Sequence, residues 1–347
     1  MDRLDDRAGT AFMNGVTQKT INEDENGMRL DRWFALHFPQ VKFGRLQKMI
    51  RTGQVRVNKG RVKTNTRLVQ GQVVRIPPIE KEQGQDKEQS NKIKYNEADA
   101  QFLRQLILYE DDDVIVLNKP HGLAVQGGSG TSRHIDGMLK SLPNKKGEAP
   151  RLVHRLDRDT SGCLLLAKSR AVASHFGAVF RSRSARKIYW AIVAGVPNPS
   201  QGTISCFVAR QSTRDGEQMA VVEKGYKGAQ HSMTHYSVTD NAGRKFSWVT
   251  LKPVTGRTHQ LRVHMMNLGN PILEDPRYFD REDWNWEPPE GLGKGLHLHA
   301  RRLAIPLRNG EKLDISAPLP PHMKKSFDML GFDAKRYDMK NHDPEEV

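Results

Sequence analysis

Cysteine is nearly absent. In 347 residues there are two, Cys163 and Cys206. They stand far apart, one inside an apolar run, which excludes a disulfide framework and a cysteine-based zinc site and fits a reducing compartment. No apolar run reaches the length of a membrane span. The first 27 residues carry Asp2, Asp5, Asp6, Glu23, Asp24 and Glu25 and contain no apolar h-region. Neither a signal peptide nor a transit peptide is expected, and a cytoplasmic protein is. Gly127-Gly128-Ser129-Gly130 lacks the Lys-Ser/Thr and the strand-to-helix setting of a phosphate loop, so it reads as a plain loop. There is no internal repeat and no nucleotide-cofactor motif, and neither cofactor nor metal is expected.

Positive charge is abundant. Net charge is +15, and it is concentrated: residues 28–78 hold twelve Lys/Arg against one acid, Asp31. Such clustering suits a phosphate backbone. No basic amphipathic helix with a broad apolar face accompanies it, which disfavours a membrane surface. Hydrophobic content is 37%, enough for packed cores.

Residues 1–27 are polar and aperiodic and are expected to be a disordered extension. In 28–78, Leu30, Trp33, Phe34 and Leu36-Phe38 predict one short helix. Phe43, Leu46, Met49 and Ile50 predict another, stopped at Gly53. Val55 and Val57 alternate with polar residues, Asn58-Lys59-Gly60 turns, and Val73–Ile76 closes a small sheet. Residues 79–104 read as a flexible linker. The main domain is expected over 105–335, with a tail at 336–347. Val114–Leu117, Ile188–Val193 and Phe246–Leu251 read as strands. Val172–Phe180 and the stretch from Thr258 to Gly269 read as helices. Strands separated by single helices, without regular βαβ alternation, predict an α+β fold with a mixed or antiparallel sheet.

The chemistry is concentrated in His154-Arg155-Leu156-Asp157-Arg158-Asp159-Thr160-Ser161-Gly162, ahead of the apolar run Cys163–Ala167. One carboxylate among cations, before a buried strand, suits a poised anion acting on a polyanionic substrate. An isolated aspartate here would read as a turn cap. Asp159, with Thr160 and Ser161, does read so. A second carboxylate raises the idea of a glycosidase pair, but such pairs usually sit on separate elements. His297 and His299 lack a third ligand and are expected in the core or facing RNA. Trp284 and Trp286 read as loop packing.

Four segments in order carry a resemblance: Asn118–Leu123, His154–Lys168, Lys187–Ala191 and Thr255–His264. Together they are similar to the RluA-type RNA pseudouridine synthases, and the Gly-Gly-Ser-Gly loop points to the RluC-type branch that modifies large-subunit rRNA. Residues 28–78 resemble the S4 RNA-binding domain through Arg45 and Gly53–Asn58, with Gln72 where that pattern has aspartate after Gly71. The resemblance implies a pseudouridine synthase fold and a cofactor-independent isomerase of 23S rRNA. Asp157 would act at the ribose, as nucleophile at C1′ or base at C2′. Arg262 would pair with Asp157, bidentately. Tyr189 would stack on uracil and help remove the C5 proton, with Trp190 on the opposite face. Arg155 would fill the space of the flipped base. His154, Arg158, Arg257, His259 and, on the small domain, Arg45, Lys48 and Arg51 would hold RNA, and the protein would act as a monomer. The chain departs from the family at Glu274 and Phe279, where glycines are usual. The alternatives are the same chemistry on other rRNA sites or on tRNA, an RNA N-glycosidase, and a non-catalytic rRNA-binding assembly factor.

Overall fold

Why polar Thr17–Thr20 forms a strand is plain only in three dimensions. In the computed structural model, which describes residues 16–79, 96–128, 131–144, 147–213, 216–280, 287–337 and 344, this strand β1 pairs antiparallel with Val73–Ile76. The extension expected to be disordered up to residue 27 is therefore structured from Thr17. Ile21 is buried in the core, and Asn22 and Glu25 close a capping box. An edge strand needs backbone pairing more than apolar side chains, so no alternation marked it. Residues 1–15 of the expected extension lie outside the described residues.

The chain divides into two units, Met1–Gln89 and Ser90–Val347. In the first, helices α1 (Leu30–His37) and α2 (Phe43–Arg51) bury Trp33, Phe34, Leu46 and Met49. They share one core with β2 (Arg56–Val57) and β3 (Val73–Ile76). The turn before Gly60 uses left-handed Asn58 and Lys59.

The second unit starts inside the stretch expected to be linker. Asn96 caps α3 (Glu97–Gln105), whose Ala100 and Leu103 are buried. Only that narrow apolar stripe distinguishes it from the charged sequence before it, and residues 80–95 lie outside the described residues. There follow β4 (Ile107–Glu110), β5 (Val114–Lys119), α4 (Ile135–Met138), β6 (Arg151–Leu152), β7 (Ser161–Ala167), α5 (Arg170–Arg181) and β8 (Arg186–Ala194). Next come β9 (Gln201–Thr213), β10 (Gly216–Val222), β11 (Gln230–Ala242), β12 (Phe246–Pro253), α6 (Gln260–Asn267), β13 (Leu298–Pro306), β14 (Lys312–Ser316), α7 (Pro321–Leu330) and α8 (Ala334–Tyr337). Among the described residues eleven strands form one sheet, ordered β10-β9-β11-β12-β8-β13-β7-β5-β4, with β14 on β13 and β6 on β7. Pairing is antiparallel except for β13 against β7. The fold is α+β with a mixed sheet. Tyr337, placed in the expected tail, packs on Trp248 with ring centroids 5.2 Å apart. Trp284 and Trp286 lie outside the described residues, as do Ser129 and Gly130.

The parallel contact explains Gly162. Its φ is +108°, and a Cβ there would stand 2.2 Å from the Ala300 carbonyl oxygen. Only glycine lets β13 pass beside the start of β7. Buried β7, all seven residues of it, then anchors the loop that precedes it.

Candidate active site

That loop carries Asp157. Leu156 is buried in the core and the Thr160 amide donates to the Asp157 carbonyl, so the side chain between them is held outward. Lys119, fully buried, donates its three protons to the carbonyls of Pro120, Leu123 and Arg158. Arg158 Nε donates to the Gly122 carbonyl. These bonds fasten the 120–123 loop to the Asp157 loop. Burial pulls Lys119 down to about 7, against the opposing pull of Asp159 and Asp157. Asp159, expected to cap a turn, makes no side-chain hydrogen bond among the described residues, and its charge bears on Lys119 and His121.

Asp157 faces a cleft of about 590 Å³, and among the described residues it is the only carboxylate lining it. Opposite stands Arg262, its terminal nitrogen 3.7 Å from the Asp157 carboxylate. The bidentate partner expected for Arg262 is not Asp157. It is Asp275, which accepts from Nε at 2.7 Å and from the other terminal nitrogen at 2.6 Å. Asp275 also accepts from the amides of Arg277 and Tyr278. Both ends of this pair are buried, and every acceptor position used is filled, the condition under which a buried ion pair is tolerated. Sequence reasoning gave Asp275 no role. Its signal was the departure at Glu274, whose φ of +57° is the left-handed backbone that a glycine would adopt freely.

His259 completes a ring of contacts. Its Nδ1 lies 2.9 Å from the Tyr278 hydroxyl and its Nε2 4.0 Å from the Asp157 carboxylate. The Arg262 guanidinium stacks on the Tyr278 ring at 5.0 Å. Burial lowers the pKa of His259, opposed by Asp157, so a neutral imidazole faces the carboxylate. His259 also holds a left-handed backbone (φ +52°) just before α6. Non-glycine residues there cost about 1–3 kcal/mol and cluster at functional sites. Buried Gln260 explains how that turn holds: it accepts from the Thr255 hydroxyl and the Arg257 amide, and donates to the Met233 carbonyl and Thr234 hydroxyl. Arg257 Nε donates to the His231 carbonyl and lines the cleft.

Tyr189, on β8, lines the cleft too. Burial, with Asp157 adding, pushes its phenol up, so it stays protonated. Its neighbour Trp190 points the other way, against Trp248 at 4.6 Å. Arg155 lines the cleft, exposed. His154, expected at RNA, lines the cleft, while its Nε2 accepts from the Leu165 amide and its ring stacks on Phe180 at 4.6 Å. Burial holds it down to about 3, so it adds no cation. His297 and His299 are core residues, bonded to Ser326 and to Ser161 respectively. Arg45, Lys48 and Arg51 lie exposed along one face of α2, in the first unit.

Residues 113–267 match the family model described as RNA pseudouridylate synthase. The chain is similar to the ribosomal large subunit pseudouridine synthase C of Vibrio vulnificus (strain CMCP6), 38% identical over 323 residues, which is 90% of this chain and 97% of that one. It is similarly related to the protein of that name from Yersinia pestis, 38% identical over 88% of this chain and 92% of the relative. Among solved structures, the human RNA pseudouridylate synthase domain containing 4 aligns with a TM-score of 0.54 at 32% identity, over 67% of this chain and 95% of that one. No helix among the described residues is long and apolar enough to cross a membrane.

Proposed function

The chain belongs to the RNA pseudouridylate synthase family, and from that premise we propose that it isomerises specific uridines of large-subunit (23S) ribosomal RNA to pseudouridine, with Asp157 acting at the ribose. The bond between N1 and C1′ breaks, the freed base turns, and C5 joins C1′. The C5 proton leaves and N1 gains one, so composition is unchanged and nothing is released from the RNA but exchangeable hydrogen.

The observation that carries this reading is Asp157, the single carboxylate lining the cleft among the described residues, set 3.7 Å from a guanidinium that Asp275 already holds rigid. An anion at the sugar supplies nucleophile or base without a metal, and Arg262 keeps it oriented through the reaction. Tyr189, protonated and on the same cleft, stacks on the extruded uracil. Arg155, exposed at the rim, enters the stack that the base leaves. Arg158, Arg257 and His259 bound the path of the strand. The first unit acts as an S4-like tether, its RNA-facing side being Arg45, Lys48 and Arg51, which are exposed on α2 without an ion-pair partner among the described residues. We place the protein in the cytoplasm, acting as a monomer on the assembling large subunit.

Release of tritium from 23S rRNA transcribed with [5-³H]uridine tests the reaction, since C5 must lose its hydrogen. Wild type is expected to release it at a few sites. Asp157→Asn and Asp157→Ala are expected to release none while binding RNA nearly as well. Full release by either variant would sink the assignment of Asp157.

A further inference from the structure

Lys187 is a cation in the cleft that no group among the described residues answers. Alternation along β8 puts Lys187 and Tyr189 on the cleft side and Ile188 and Trp190 in the core behind. The Lys187 ammonium is half-buried and makes no hydrogen bond or ion pair among the described residues. Burial alone displaces its pKa, downward, with no carboxylate close enough to oppose it. Taking an ammonium out of water without a counter-charge is costly, and a ligand anion removes that cost.

The same wall holds more uncompensated charge. Arg155, Arg181 and Arg183 line the cleft, and none has an ion-pair partner among the described residues. Arg183 follows the Ser182 cap of α5 with φ +64°, the place where helices favour glycine. Arginine there accepts a backbone cost and adds a cation to the rim. His154, beside Lys187, is committed to the Leu165 amide and contributes neither charge nor a competing acceptor.

We propose that this wall is a phosphate subsite in which Lys187, with Arg181 and Arg183, takes backbone phosphates on one side of the target uridine while Tyr189 takes the base. The proposal rests on the reading of the site as an RNA-modifying one in naming RNA as the polyanion. Residues two apart on a strand are separated by roughly 6.6 Å. A nucleotide whose base meets Tyr189 therefore brings its own or the adjoining phosphate within reach of the flexible Lys187 stem.

The test is equilibrium binding of the full chain to an unmodified 23S rRNA transcript over a salt series, with C5 tritium release followed in parallel and thermal melting as the check on folding. Lys187→Met is expected to weaken binding roughly tenfold, as for one lost charge-assisted hydrogen bond. The slope of log K against log salt should fall by about 0.7–0.9. Lys187→Arg should restore both affinity and slope. Arg181→Gln/Arg183→Gln should lower the slope about twice as far, and it decides the matter if Lys187→Met fails to fold. Unchanged affinity and slope in folded variants would overturn the subsite, whatever the tritium assay reads. A reduced slope with no tritium release by wild type would uphold the subsite and overturn the uridine-isomerising reading.

Discussion

Arg262 reaches two carboxylates with one guanidinium: it grips Asp275 at 2.7 and 2.6 Å and keeps its remaining nitrogen 3.7 Å from Asp157. The rigid pair fixes the cation that faces Asp157. Asp275→Ala leaves a buried guanidinium without its partner, which should cost about 3–5 kcal/mol of stability. Asp275→Asn keeps an acceptor and should fold. Its turnover should fall by more than about tenfold, because a loosened Arg262 no longer fixes Asp157. Urea unfolding and tritium release measure the two effects. Wild-type turnover in Asp275→Asn would remove Asp275 from the positioning frame.

Acid should unfold this protein early. Burial lowers His154, His297 and His299 to about 3, and His264 to about 4, from 6.5. With folded values depressed, the unfolded chain binds more protons between pH 3 and 6.5. Stability from these groups is present above 6.5 and is lost as pH falls below it. Each loses roughly 2 kcal/mol on going from pH 6.5 to 5. Melting temperature should be flat from pH 8 to 7 and drop steeply below 6. His299→Gln should lessen the slope. A melting temperature unchanged down to pH 5 would show that these imidazoles are not held neutral.

Tyr189 should act as a protonated ring, not as a phenolate. Burial and Asp157 raise its pKa above the ordinary 10. No titration of Tyr189 should appear in the pH–rate profile between 7 and 10. Tyr189→Phe keeps the stacking face and should bind RNA like wild type, isolating the hydroxyl's share in turnover. Tyr189→Leu should weaken RNA binding further, by about 1–3 kcal/mol, as for one lost base stack. Equal binding by the Phe and Leu variants would argue against stacking.

Gly162→Ala should be among the most damaging single-methyl changes in the chain. The new Cβ would meet the Ala300 carbonyl at 2.2 Å, on a backbone with φ +108°. Clash and strained backbone together should cost roughly 3 kcal/mol or more. Denaturant unfolding of soluble material, or loss of soluble yield, reads it out. A stable Gly162→Ala would mean that β13 can move off β7.

The run His154–Gly162 and the segments around Tyr189 and Arg262 were legible as sequence because each is local. A residue type and its immediate neighbours specify a turn before a buried strand, or the cleft face of a strand against its core face. Trp190 opposite Tyr189 followed from alternation alone. Apolar periodicity likewise marked α1, α2 and α5, while it failed for Thr17–Thr20, whose strand depends on the backbone of β3.

By itself, then, the sequence determined the groups available: aspartates amid cations ahead of a buried strand, a tyrosine on one face of its strand, and a basic small unit. Tertiary structure decided which charges answer one another. Asp275 claims Arg262, the Leu165 amide claims His154, three carbonyls claim Lys119, and Lys187 is left without a partner among the described residues. Those partners come from distant segments. Hydrogen bonding and Coulomb attraction act over a few ångströms, so the outcome depends on which segments the sheet brings together.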